Sequence, residues 1–133
     1  MTLKDRIKII PRRLIKDDRG WFFKAITGTE DNIPNHTGEV YLTMGKPGQI
    51  KGGHYHPEAV GWFTVIVGKA VLRLEDINSK ERIEIPMSLE DAKSVYVPNN
   101  VAHDFKNVGD TDFIVLAYTD KLYDPKDTIA YKL

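Results

Sequence analysis

The chain contains no cysteine. Disulfide staples, thiolate metal sites and cysteine nucleophiles are therefore excluded, and any metal would have to be held by imidazole or carboxylate. Net charge is equally lacking. Lys plus Arg and Asp plus Glu number 19 each, so neither nucleic acid nor an anionic membrane is favoured as a bulk partner. No apolar run approaches a membrane span, and the opening MTLKDRIKII lacks the apolar core of a signal peptide. These absences lead us to expect a cytoplasmic chain with no nucleic acid and no membrane among its partners. Helical periodicity is scarce too. One piece, SLEDA at residues 88–92, reads as a single helical turn with Ser88 as its cap.

Strand sequence, by contrast, is abundant. KIIPRRLI runs to a turn at Asp18-Arg19-Gly20, and WFFKAI follows. EVYLTM stops at Lys46-Pro47-Gly48. GWFTVIV and AVLRLED flank Gly68-Lys69 and read as a hairpin. RIEIP follows Asn78-Ser79, SVYVP precedes Asn99-Asn100, and DFIVLAYTD follows Gly109-Asp110. Short strands punctuated by Gly, Pro, Asn and Asp predict an all-β antiparallel sandwich or barrel. By length, residues 1–133 make one domain with one core. The polar, turn-rich tail YDPKDTIAYKL is expected to pack over the barrel end or onto a partner subunit.

Two histidine segments carry the chemistry. KGGHYHPE holds His54 and His56, and VPNNVAHDFKN holds His103. Residues two apart in a strand share a face, so His54 and His56 point one way and Tyr55 the other. Gly52 and Gly53 predict a bulge or a close backbone approach beside them. If a later strand brings His103 to the same place, three imidazoles can hold a metal or move protons on a bound substrate.

These segments resemble the two motifs of the cupins, small β-barrels of the jelly-roll type. Gly48, His54, His56 and Gly68 fit the first motif; the Glu of that motif is replaced by Gly61. Pro98, His103 and Asn107 fit the second, with Asn100 and Ala92 standing where the motif has Gly. Asn tolerates the left-handed conformation that such a Gly supplies. Cupin metal sites of this type use three histidines and the Glu, which implies a divalent ion (Zn, Fe, Mn or Ni) at His54, His56 and His103. Glu58 is a weak substitute for the missing carboxylate, since Pro57 disturbs the strand before it.

A narrower resemblance spans most of the chain. DDRGWFF is similar to a motif near the start of nucleotide-sugar cupins, which include the dTDP-4-dehydrorhamnose 3,5-epimerases and the sugar 3,4-ketoisomerases. KPGQIKGGHYH, VIVGKAVLRLE and NVGDTDFIVLAYTDKLYDPKDT are similar to the C-terminal cupin domain of capsular polysaccharide reductases. The resemblance implies an isomerase acting on a nucleotide-linked 4-keto-6-deoxy sugar through an enolate, with no cofactor required, in deoxysugar or surface polysaccharide biosynthesis. It implies a homodimer with N-terminal strands paired across the interface. It also implies roles. His54 is the base. His56, Tyr41 or Tyr118 returns the proton. His103 orients or polarises the 4-keto group, Arg19 and Lys51 hold phosphates, and Trp62 contacts substrate. The epimerase's catalytic Tyr position falls on Leu116 and its Lys on Gly61, whereas the His-x-His pair and Tyr41 match the ketoisomerases. Two other readings stay open: a metal-dependent cupin acting on another small molecule, and a sugar-binding cupin without catalysis. Outside such a site, Arg19 is a solvated turn residue, Lys51 a surface charge, and Tyr41, Trp62 and Tyr118 half-buried strand aromatics.

Overall fold

The structure, a computed structural model, describes all 133 residues. Two five-stranded sheets face each other. The first runs β1 (Lys8–Pro11), β9 (Lys93–Val97), β6 (Gly61–Val67), β11 (Phe113–Thr119), β4 (Glu39–Gly45). The second runs β12 (Ile129–Ala130), β5 (Ile50–Tyr55), β10 (Val101–Asn107), β7 (Lys69–Asp76), β8 (Arg82–Ser88). Pairing throughout is antiparallel. Inward-facing Leu72 and Leu74 of β7, Val101 and Phe105 of β10, Phe63 and Val65 of β6 and Phe113 and Val115 of β11 build one buried apolar cluster between the sheets. This is the expected all-β cupin barrel of jelly-roll type. No helix is long and apolar enough to cross a membrane.

Three local expectations are corrected. Strands β6 and β7 are not a hairpin: β6 pairs with β9 and β11, and β7 with β10 and β8. The chain instead turns a corner at Gly68 and passes from one sheet to the other, as strands do where two sheets meet. SLEDA is not a helix. The β7–β8 ladder continues to Lys69↔Ser88 and claims Ser88, and residues 89–91 form a turn in which Ser88 Oγ accepts from the Asp91 amide at 3.1 Å. The α-helix that does form, α1 (Leu3–Arg6), is held by a capping box between Thr2 and Asp5. Finally, KIIPRRLI is two elements. β1 pairs with β9, and the chain then leaves the sheet to form a separate hairpin of β2 (Ile15–Asp17) and β3 (Gly20–Phe22).

Between that hairpin and β4, the chain crosses the outer face of the first sheet. Ser94 Oγ donates to Ala25 O, and Trp62 Nε1 donates to Asn32 O at 3.3 Å. The Glu30 carboxylate anchors this crossing. It accepts from the Thr27 and Gly28 amides and pairs with Arg12 at 3.4 Å, both side chains being nearly buried. Burial alone would raise the Glu30 pKa, but the Thr27 and Gly28 hydrogen bonds and the Arg12 charge outweigh it and hold the group below its ordinary value. Glu30→Gln should cost about 3 kcal/mol, because Arg12 is left as a buried, unpaired cation. The loss reads out as a lower urea midpoint and, in a Trp21→Phe background, as red-shifted Trp62 emission. The Glu30 contribution is complete above the ordinary carboxylate range and drains as pH falls below it. The variant should therefore lose less stability on acidification than the wild type; parallel acid profiles would refute the assignment.

Candidate active site

β5 lies between β10 and β12, with His103 and Ala130 both opposite His54. The two glycines before His54 do what the sequence led us to expect. The register steps from His103↔His54 to Asp104↔Gly52, so Gly53 is the extra residue of a bulge. Gly52 sits at φ +102°, and a Cβ there would lie 3.0 Å from His103 O, so only glycine lets the two strands approach this closely. Asn100 takes the left-handed conformation at φ 60° just before β10, the role expected of it.

The bulge aims His54 at His103, and His56 follows on the same side. Ring centroids are 5.0 Å apart for His54–His56, 5.1 Å for His54–His103 and 5.6 Å for His56–His103. One nitrogen from each ring lies within 4.8 Å of the others. Tyr55 points away and packs on Tyr131. His56 Nδ1 donates to Asp127 O at 2.8 Å, and His103 Nδ1 donates to Val101 O at 3.0 Å. A carbonyl can only accept, so in both rings a proton sits on Nδ1, and the neutral form of either ring has Nε2 bare. Burial depresses the His103 pKa to about 3, and burial followed by the neighbouring His56 lowers that of His54. Burial, with the Glu39 charge behind it, raises that of Tyr41. At neutral pH the site thus holds neutral His54 and His103 beside a protonated phenol.

The surrounding cleft has two lobes. One of about 150 Å³ is lined by Glu39, Tyr41, His54, His56, Thr119 and Lys121, among others. The other, of about 260 Å³, is lined by Tyr41, Thr43, Lys51, His54, Phe63 and His103 among others. Each alone is small for a drug-sized ligand, but Tyr41 and His54 belong to both and join them. His54, His56, His103, Tyr41 and Lys51 are therefore brought together as the sequence suggested.

Four candidates are not. Trp62 is 1% exposed, on the outer face of β6, stacked near Tyr96 and roofed by the Asn32 segment; it lines neither lobe of the cleft. Tyr118 also faces outward. In β11 the inward residues are Phe113, Val115 and Ala117, and the Tyr118 hydroxyl meets Thr37 instead. Leu116 shares that outer face, so neither it nor Tyr118 points toward the histidines. Glu58 is exposed and stands outside the three-histidine group, because Pro57 ends the strand and the Glu58 amide is tied to Asp127. Arg19 sits at the tip of the β2–β3 hairpin, 90% exposed and paired with Asp17. It lines a separate surface groove, not the histidine cleft.

The cleft also holds residues not picked out from sequence: Glu39, Thr43, Thr119, Lys121 and Asp127. Glu39 and Thr43 share the face of Tyr41 by strand parity, a signal available once Tyr41 is aimed inward. Asp127 had no such signal, since nothing local tells a tail residue which loop it will meet.

Residues 15–131 match the polysaccharide biosynthesis C-terminal domain family. The chain belongs to this family. It is 29% identical over 128 residues to the spore coat polysaccharide biosynthesis protein SpsL of Bacillus subtilis, covering 91% of this chain and 83% of the relative. It superposes on the capsular polysaccharide assembling protein CapF of Staphylococcus aureus at TM-score 0.69 and 32% identity, covering 92% of this chain but 35% of CapF. It therefore spans about a third of that longer protein. It also superposes on a dTDP-6-deoxy-D-glucose-3,5-epimerase of Legionella pneumophila, solved with dTDP-4-keto-L-rhamnose, at TM-score 0.84 and 18% identity over 97% of this chain and 74% of that one. The fold is thus that of the nucleotide-sugar cupins.

Proposed function

We propose that this member of the polysaccharide biosynthesis family is an isomerase of a nucleotide-linked 4-keto-6-deoxy sugar, working in the cytoplasm. The observation that carries the reading is the shared position of His54 and Tyr41 across both lobes of the cleft, one neutral and basic, the other protonated. His54 takes a proton from the carbon next to the carbonyl, and the C–H electron pair moves to the keto oxygen as an enolate. Tyr41 returns a proton. Delivery to the opposite face inverts the carbon. Delivery to the former carbonyl carbon, with the hydroxyl on the first carbon giving up its proton to become the new carbonyl, moves the keto group; electrons balance without a redox partner. The enolate oxygen needs a donor. His103 cannot be that donor, because its bare Nε2 only accepts, so it orients a sugar hydroxyl. The Lys51 ammonium in the same lobe supplies the positive charge, and Lys121 in the other lobe suits the nucleotide phosphates. The likeness to SpsL and to an epimerase solved with a keto-sugar nucleotide supports the substrate class.

The convergent nitrogens support a second reading beside the first. Three imidazoles, two with bare Nε2 atoms, fit a divalent ion, and Gly61 adds no carboxylate to them. Bound there, Zn, Fe, Mn or Ni would polarise a keto oxygen as a Lewis acid. A homodimer is also part of the proposal. Ile15, Trp21 and Phe22 of the hairpin and Val40 and Leu42 on the outer face of β4 expose apolar area that a second copy would cover. Arg19 would meet a phosphate only across such an interface. Sedimentation velocity reads the dimer directly.

Deuterium wash-in tests the function. Incubated in D₂O with a panel of dTDP- and UDP-linked 4-keto-6-deoxyhexoses, the native chain should place deuterium at a carbon flanking the carbonyl of at least one. No exchange across the panel, with metal content measured in the same preparation and the titrated ion restored, would sink the isomerase.

A further inference from the structure

The C-terminal segment does more than pack over the barrel end. Ile129 and Ala130 extend the second sheet against Tyr55 and His54, and the Tyr131 amide donates to Gly53 O at 2.8 Å. Before that strand, Pro125–Asp127 forms a 3₁₀ turn capped by the Asp124 side chain, which accepts from the Lys126 amide. The segment is thus a strap laid along the end of β5 that carries His54 and leads into His56.

One residue of the strap is bound at both ends to the site. The Asp127 carboxylate, nearly buried, accepts from the Glu58 amide at 2.9 Å and the Ala59 amide at 3.0 Å. Those amides belong to the loop that Pro57 forces out of the sheet, and they would otherwise lack acceptors. The Asp127 backbone carbonyl meanwhile accepts from His56 Nδ1. The contrast with His103 is informative. Its partner, Val101 O, lies two residues away in its own strand, so β10 fixes that ring unaided. The ring of His56 is fixed by a group 71 positions away, delivered only if the strap is seated.

We propose that Asp127 is a positioning residue. By clamping the loop after His56 with its side chain and taking the ring proton with its carbonyl, it holds His56 as the Nδ1–H tautomer with bare Nε2 aimed into the cleft. The consequence for turnover rests on the isomerase reading above; the tautomer does not. A ring nitrogen fixed as an acceptor can receive a substrate hydroxyl proton or a cation. The Nε2–H form, which free imidazole favours, can do neither. Outer partners of this kind characteristically change function by about 10- to 100-fold when removed.

Asp127→Asn tests the assignment in the full chain after dialysis against a chelator. Its amide oxygen can accept one of the two loop N–H groups, but its NH₂ then faces the other donor, so the clamp opens without loss of bulk. Long-range ¹H–¹⁵N correlation spectra of the histidine rings should show His56 as Nδ1–H in the wild type. In the variant the ring should shift toward the Nε2–H pattern, with His103 unchanged as the internal control. If exchange activity exists, it should fall about tenfold or more in kcat with KM little moved. An unshifted His56 tautomer in a folded variant would overturn the proposal. So would a wild-type ring already in the Nε2–H form, or collapse of the whole fold, which would make Asp127 purely structural. Absence of exchange in the wild type would leave the tautomer result intact and count against the reaction alone.

Discussion

His54→Asn should abolish deuterium wash-in while leaving the fold in place. The ring is half-exposed in the cleft and is held by edge contacts with His56 and His103. Removing it therefore orphans no buried partner and should cost little stability. Its chemical loss is large, because a positioned base contributes about 10²–10⁴-fold. Wash-in and net isomerisation should fall together by that factor, with KM nearly unchanged, as for a group whose gain comes in the transition state. Tyr41→Phe separates the two half-reactions. With His54 intact, a proton still leaves and returns on the base's own face, so wash-in persists while product formation falls by a similar factor. If His54→Asn keeps wild-type wash-in, the base lies elsewhere and Glu39, which lines the same lobe, becomes the group to replace. If both reactions survive in Tyr41→Phe, the acid is not the phenol.

The positions that sequence reading placed well were those whose local conformation is dictated by their own residues. A Gly-Gly pair before His-x-His became a bulge that re-aims a strand, and Asn100 took the left-handed turn it was expected to take. Facing was harder. Alternation tells inside from outside only when one face is wet, and residues 61–65 of β6 are buried throughout because the Glu30 segment roofs the outer face. Trp62 therefore reads as apolar whichever way it points, and parity alone could not send it out of the site. Tyr118 failed similarly. The register Ala117↔Tyr41 and Tyr118↔Val40 puts Tyr41 inside and Tyr118 outside, and a one-residue ambiguity in alignment reverses that choice. Arg19 was rightly placed in a turn. Where a hairpin docks depends on distant surfaces, and nothing in DDRGWFF encodes them.

The misread Gly68 corner leads to a large expected effect on stability. Gly68 lies at φ +75°, and a Cβ there would sit 2.3 Å from Asp112 O and 2.9 Å from Phe113 Cα. Both are backbone atoms and cannot swing aside. Phe113 opens β11 and is itself fully buried in the core. Gly48 gives the control: its φ is +78°, with nothing within 4 Å of the added Cβ. Gly48→Ala therefore measures the left-handed backbone cost alone, about 1–2 kcal/mol. Gly68→Ala adds the clash and should cost more than about 4 kcal/mol, beyond the usual range for a single substitution. In urea the first variant should unfold at a modestly lower midpoint and the second should be largely unfolded without denaturant. The damage should reach the chemistry as well. β7 leaves Gly68 to pair Leu74 with His103, and β6 reaches it from Phe63, whose ring packs on His103. A Gly68→Ala chain that still folds should bind a nucleotide sugar poorly and exchange no deuterium. Equal midpoints for the two variants would mean that the corner can relax, and that close approach to Asp112 is not what requires glycine there.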